Sequence, residues 1–183
     1  MKTFYIADMH IGHANIIRLC NRPFKDVVEN DRILIENWNK TVSNDDWVYI
    51  LGDVAFKGVS NIVDILKKLK GHKILIRGNH DGKNLKNPAF RACFEQISDM
   101  MDIVDNGERV ILCHYPIMEW NGYFRGSWHV FGHVHNNTTN PCFKYICNEE
   151  RALNAGVDIT GYRPVTLNEL KTLNKQFKEK YSK

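Results

Sequence analysis

Long apolar runs are missing from this sequence. No uninterrupted stretch approaches the roughly 20 residues that a membrane helix needs, and the first apolar run, Thr3 to Ala7, is closed by Asp8 and His10 before it reaches the length of a secretory signal core. A membrane partner is therefore not expected. The five cysteines are odd in number and never stand in CxxC spacing. That pattern argues against a disulfide framework and against a thiolate zinc site, and points to a reducing compartment, the cytoplasm. No sign of charge dominates. The formal net charge of +4 comes largely from the lysine-rich segment after Lys171, so it makes no case for a nucleic-acid surface, although an anionic substrate is compatible with it. Repeats, low-complexity segments and linkers are also lacking. What remains is 183 residues, 43% hydrophobic and 25% charged, the composition of one globular domain spanning 1–183.

Along the chain, apolar runs alternate with helical patterns. Thr3 to Ala7, Trp47 to Leu51 and Lys73 to Arg77 are rich in strand formers. Between the first two, Asn15 is a candidate N-cap for a short helix ending before Pro23, and the spacing predicts a longer covering helix from Asp26 to about Val42. Val59, Ile62, Val63, Leu66 and Leu69 recur at helical spacing ahead of Gly71. Strand, helix, strand in this order implies a right-handed parallel crossover. A short helix is expected near Pro88, then a hairpin turning at Asn106 and Gly107, with its second strand ending at His114. Trp128 to Phe131 is a further strand. Phe143 to Cys147 and Arg151 to Ala155 read as edge strands, Val165 as a last short one, and Asn168 as the cap of a final helix.

The ends of these strands carry the chemistry. Five of them deliver Asp8 and His10, Asp53, Asn79 and His80, His114, and His133 and His135, all nitrogen or oxygen groups suited to metals. One Asp or His at a strand end is ordinarily a cap or a packed side chain; five such ends together are not. Gly52, Gly78 and Gly132 stand immediately before the polar residues, where they permit tight turns and close backbone approach. The DxH and HxH pairs would each face one site if the chain were extended. Seven candidate ligands exceed one tetrahedral ion and suit two ions sharing a carboxylate, for which Asp53 is the natural bridge.

This ordered set, Asp8 and His10, Gly52 Asp53, Gly78 Asn79 His80 Asp81, His114, and Gly132 His133 Val134 His135, resembles the motif set of the calcineurin-like metallophosphoesterases. Gly12 His13 Ala14 Asn15 Ile16 Ile17 is similar to a stretch of its small bacterial and phage members. The resemblance implies an α/β fold of four layers, two mixed sheets flanked by helices, and hydrolysis of a phosphomonoester or phosphodiester by two divalent ions. It implies that Asp8, His10 and His135 hold one ion, that Asn79, His114 and His133 hold the other, that Asp53 bridges them, and that His80 stands beside them to stabilise the phosphoryl group or protonate the leaving oxygen. Manganese, iron or zinc would suit the donors, and water between two such ions gives hydroxide near neutral pH. Protein phosphatases of this superfamily carry an Asp and an Arg shortly after the bridging Asp, where this chain has Phe56 and Lys57. Phosphoprotein is therefore not the expected substrate, and Asp81 becomes the candidate for orienting His80.

Weaker candidates surround this set. Arg18 and Arg22, four apart on a helix, are placed to clamp a substrate phosphate, or else form a solvated face. His13 and Asn15 can line the rim. His72, His129 and Cys113 read as structural. Trp120, Tyr123, Phe124 and Arg125 read as a loop anchored by buried aromatics, with a stacking wall for a base as the alternative. The expected partner is a small phosphate ester, a nucleotide among the possibilities. A non-catalytic scaffold of the same fold and a nuclease of the superfamily are the alternatives; a scaffold should have lost ligands or His80, and a nuclease should show a basic track.

Overall fold

A computed structural model describes residues 1–181. Its strands form two four-stranded sheets. The first contains β1 (Thr3–Ile6), β2 (Trp47–Ile50), β3 (His72–Ile76) and β4 (Gln96–Ser98), in that spatial order and parallel throughout. The crossovers run through α1 (Ala14–Leu19) and α2 (Val27–Thr41), then α3 (Ile62–Lys68), then α4 (Pro88–Arg91). The chain passes directly from β4 into the second sheet, made of β5 (Met100–Asp105), β6 (Glu108–Cys113), β7 (Trp128–Phe131) and β8 (Ala152–Asn154). Only the β5–β6 hairpin is antiparallel; β6, β7 and β8 run parallel. The chain closes with α5 (Pro141–Asn148) before β8, then α6 (Val157–Thr160) and α7 (Leu167–Glu179).

Alternation along each strand explains the layering. On β1, Phe4 and Ile6 join Leu34, Trp38 and Leu66 in a core under α2 and α3, while Tyr5 faces the other way. Tyr5 packs with Val110, Leu112, Val130 and Leu153 in a second core between the sheets. On the far face of the second sheet, Ile111 and Phe131 meet Ile146 of α5. Strands buried on both faces read as continuous apolar runs, which is how they look in the sequence.

Several local expectations need correction. Phe143 to Cys147 lies in α5, not in a strand: Asn140 caps the Cys142 N–H, Pro141 opens the helix, and Phe143 and Ile146 share its buried face. The last helix is capped by Thr166, not Asn168, in a reciprocal box with Glu169. Asn15 lies inside α1, whose N-cap is His13 with no side-chain cap bond. Strand β4, only Gln96–Ser98, is too short to leave a strand pattern in the sequence. The helix capped by Asp26 and the Asn106–Gly107 hairpin turn, with both turn residues at positive φ, stand as expected.

Candidate metal centre

The carboxyl ends of β1, β2, β3, β6 and β7 converge on one crevice, as the sequence pattern implies. The chain does not arrive there extended. Asp8, His10, Asp53, His133 and His135 all have left-handed backbones, with φ of 57°, 51°, 55°, 70° and 51°. The DxH and HxH pairs therefore converge through consecutive turns after β1 and β7, not through strand alternation. Such a conformation costs a non-glycine residue on the order of 1–2 kcal/mol. Five in one place mark a site held in its shape by the surrounding hydrogen bonds: Asp8 N–H donates to Gly52 O, His10 N–H to Asp53 O, and His133 N–H to the Asp8 carboxylate at 2.9 Å. The turns also pack backbone on backbone. A Cβ on Gly52 would lie 2.6 Å from Gly78 Cα, and one on Gly78 would lie 2.4 Å from Asp53 Oδ1.

Two overlapping groups of side chains have metal-ligand spacing. Ligand atoms of Asp8, His10 and His135 lie within 4.8 Å of one another, as do those of Asp8, Asp53 and His114. Asp53 Oδ2 lies between them, 3.5 Å from His10 Nε2 and 3.6 Å from His114 Nε2. Asn79 Oδ1 approaches His114 Nε2 and His133 Nδ1 at 3.0 Å each. All seven expected ligands thus meet around two carboxylates: Asp8 belongs to both groups, while Asp53 belongs to the second and approaches the first through His10.

The donor set fits cations. Both ring nitrogens of His10 are buried without a hydrogen-bond partner among the described residues, a costly arrangement unless something binds there. Burial, with the neighbouring His135 and Arg22, pushes the His10 pKa down to about 2, so the neutral ring offers one nitrogen lone pair to a cation. His114 Nδ1 lies 2.7 Å from Leu51 O, which can only accept. With a ring proton placed there, Nε2 is the nitrogen left to ligate, and it faces Asn79 Oδ1 at 3.0 Å, where the two atoms could share a cation. Burial pushes the Asp8 carboxyl up to about 6 despite the opposing influence of His135 and His114, as expected for an acid placed to meet positive charge.

The remaining candidates divide. His80 is exposed on the crevice, its backbone N–H donating to Asp53 Oδ1 at 2.8 Å and its ring 5.4 Å from that of His10. His13 lines the same crevice and stacks on Phe56 at 4.4 Å, so the aromatic residue that replaces the protein-phosphatase carboxylate supports a second histidine. Asp81 does not orient His80. It is fully buried, and its oxygens accept from the N–H groups of Gly78, Asp53 and Val54 at 2.8, 3.0 and 3.0 Å, tying the turns after β2 and β3 together.

Arg22 is no substrate clamp. Its guanidinium is buried on Asp8 O, Met9 O, Asn30 Oδ1 and the Asp158 carboxylate, because the backbone leaving β1 turns inward over it. Arg18 is exposed and does not line the crevice. Trp120 anchors its loop by bonding Ser127, while Phe124 is solvent-exposed, which favours the packing reading over a stacking wall. Asp158 carries no motif signal in the sequence: it stands inside the short helix α6, two residues after Gly156, with no second ligand-type residue beside it. Its carboxylate takes Arg22 Nε at 2.9 Å and lies 2.8 Å from His135 Nδ1. Cys20, His135 and Asp158 also have metal spacing, but the guanidinium on Asp158 already occupies that side.

Residues 1–128, more than half of the chain, match the family model described as calcineurin-like phosphoesterase. The chain belongs to the calcineurin-like phosphoesterase family. This phosphoesterase is 36% identical over 168 residues to an uncharacterized protein of Methanocaldococcus jannaschii, covering 91% of this chain and 87% of that one. It is 29% identical over 187 residues to the gene 66 protein of Mycobacterium phage L5, with 87% and 88% covered. Among solved structures it is similar to a protein of unknown function from Aquifex aeolicus, with a TM-score of 0.72, 28% identity, and 93% and 98% of the two chains covered. His133, His135 and Asp158 lie beyond the span matched by the family model.

Proposed function

We propose that this phosphoesterase, one domain over 1–183, hydrolyses a small phosphomonoester or phosphodiester with two divalent ions, of manganese, iron or zinc, in the cytoplasm. The observation that carries this reading is Asp53 Oδ2, placed about equally far from His10 Nε2 and His114 Nε2, where one carboxylate reaches both donor groups. Asp8, His10 and His135 would hold one ion and Asn79, His114 and His133 the other. When bound, such a pair neutralises phosphoryl oxygens and lowers the pKa of the attacking water.

The chain's own residues then have separate tasks. Asp53 and Asp8 fix the geometry of the donor groups. His80, outside both groups but facing the same crevice, donates a proton to the leaving oxygen. His13, held by Phe56 and lining the same crevice, binds the ester. Arginine and lysine are absent from the crevice lining among the described residues, so substrate charge is met by the metal centre and imidazoles.

The test is hydrolysis of an aryl phosphate and of its bis-aryl diester by manganese-loaded protein. Asp53→Ala should lose metal and activity together, whereas His80→Ala should keep metal and lose roughly 10²–10⁴-fold in rate. Turnover of neither ester, or equal metal loss in both variants, would overturn the assignment.

A further inference from the structure

Besides Asp81 and Arg22, which fix the turns of the metal centre, the buried carboxylate of Asp158 stands beside that centre without a task in the proposed reaction. It sits on α6, 23 residues beyond His135, with its side chain fully enclosed. One oxygen, Oδ1, takes the Nε–H of Arg22; the other, Oδ2, faces His135 Nδ1 at 2.8 Å. Arg22 is in turn fixed by Asp8 O and Met9 O, so the positions of α6 and of the turn after β1 are locked together. From the other side, Asn154 Nδ2 donates to His135 O, and Asn154 Oδ1 accepts from Gly156 N.

A carboxylate already paired with a guanidinium remains an acceptor, and the only proton it can take from His135 is the one on Nδ1. We infer that Asp158 is a positioning residue for the metal centre: it holds His135 as the Nδ1–H tautomer, so that Nε2 faces Asp8 and His10 as the ligating atom. This rests on the two-ion reading above. The geometry gives three reasons. The ring of His135 stacks on that of His10 with centroids 5.1 Å apart, leaving one edge toward the shared cluster and one toward Asp158. Arg22 prevents the Asp158 side from holding a cation, which removes Nδ1 as a competing ligand. The same charge makes the Asp158 carboxylate stay where it is, since its rotation would strand a buried guanidinium.

The prediction is specific to one ion. Partners of this kind change metal affinity by roughly 10–100-fold when removed. Asp158→Asn should therefore weaken one of two zinc-binding steps by about that factor in a calorimetric titration, and leave the other within about twofold. Equal weakening of both steps, or of neither, would overturn the inference, while failure of the wild type to bind two ions would instead overturn the two-ion reading. Should Asp158→Asn fail to fold, the wild-type protein decides: ¹⁵N-edited spectra of the zinc-loaded chain should show His135 with its proton on Nδ1. A proton on Nε2 would contradict the assignment.

Discussion

Gly78→Ala offers a sharp test of how the centre is built. Gly78 lies between β3 and Asn79, and its φ is not in the left-handed region, so the substitution is a matter of space alone. The added Cβ would stand 2.4 Å from Asp53 Oδ1, 2.5 Å from Asp53 N and 3.0 Å from Gly52 Cα, against ordinary contacts that begin at 3.4 Å. Two of these three neighbours are backbone, so rotating a side chain cannot relieve the overlap. The turns after β2 and β3 must separate by about 1 Å, which breaks the bond from His80 N–H to Asp53 Oδ1. Overpacking of this kind costs about 1–3 kcal/mol. For a chain of this size that is a fall in Tm of about 2–12 °C, and a displacement near 1 Å in a catalytic group lowers rate by about 10²-fold. The control is Gly82→Ala, where nothing lies within 4 Å and φ is not positive. Calorimetry of the metal-free proteins, followed by metal analysis, should show Gly78→Ala less stable and metal-poor and Gly82→Ala unchanged. A Gly78→Ala protein with wild-type Tm and full metal content would refute the close packing of these turns.

Other outcomes follow from the same structure. Arg22→Ala should lower stability by about 3–5 kcal/mol because it strands the buried Asp158 carboxylate, whereas Arg18→Ala should change Tm and KM little; a raised KM with unchanged Tm in Arg22→Ala would restore the substrate-clamp reading. Burial lowers the His129 pKa to about 4, and its Nε2 accepts from Ile117 N–H. The unfolded chain therefore takes up a proton below about 6.5 that the folded chain refuses, so stability is lost as pH falls from about 6.5 to 4, by about 3 kcal/mol from this group. Denaturant titrations of metal-free protein should show that slope, and His129→Gln should flatten it. Thr166→Ala should cost about 1 kcal/mol through loss of the α7 cap, read as a Tm drop of about 2–4 °C.

The sequence made the parallel sheet and the convergence of the candidate ligands legible for the same reason. Strands buried on both faces are continuous apolar runs, and each run stops where a glycine and then a polar ligand begin, as at Leu51, Gly52 and Asp53. Misreadings came where two patterns compete. Phe143 to Cys147 alternates like a strand, but the Asn140 and Pro141 ahead of it carry the stronger signal, and Thr166 with Glu169 spells a capping box that outranks Asn168. The Arg22–Asp158 pair was not legible at all. It joins residues 136 apart in sequence, and no local spacing announces a contact that exists only after the second sheet has folded onto the first. Nor does sequence spacing reveal that five candidate ligand positions adopt left-handed backbones, since none of them is glycine.

In the proposed centre one carboxylate, Asp53, joins two donor groups so that they hold two ions together. Electron paramagnetic resonance of the manganese-loaded chain, combined with metal analysis, tests this most directly. The structure predicts two ions per chain with the spectrum of an exchange-coupled pair, collapsing in Asp53→Ala. One ion per chain, or two that give uncoupled signals, would contradict it.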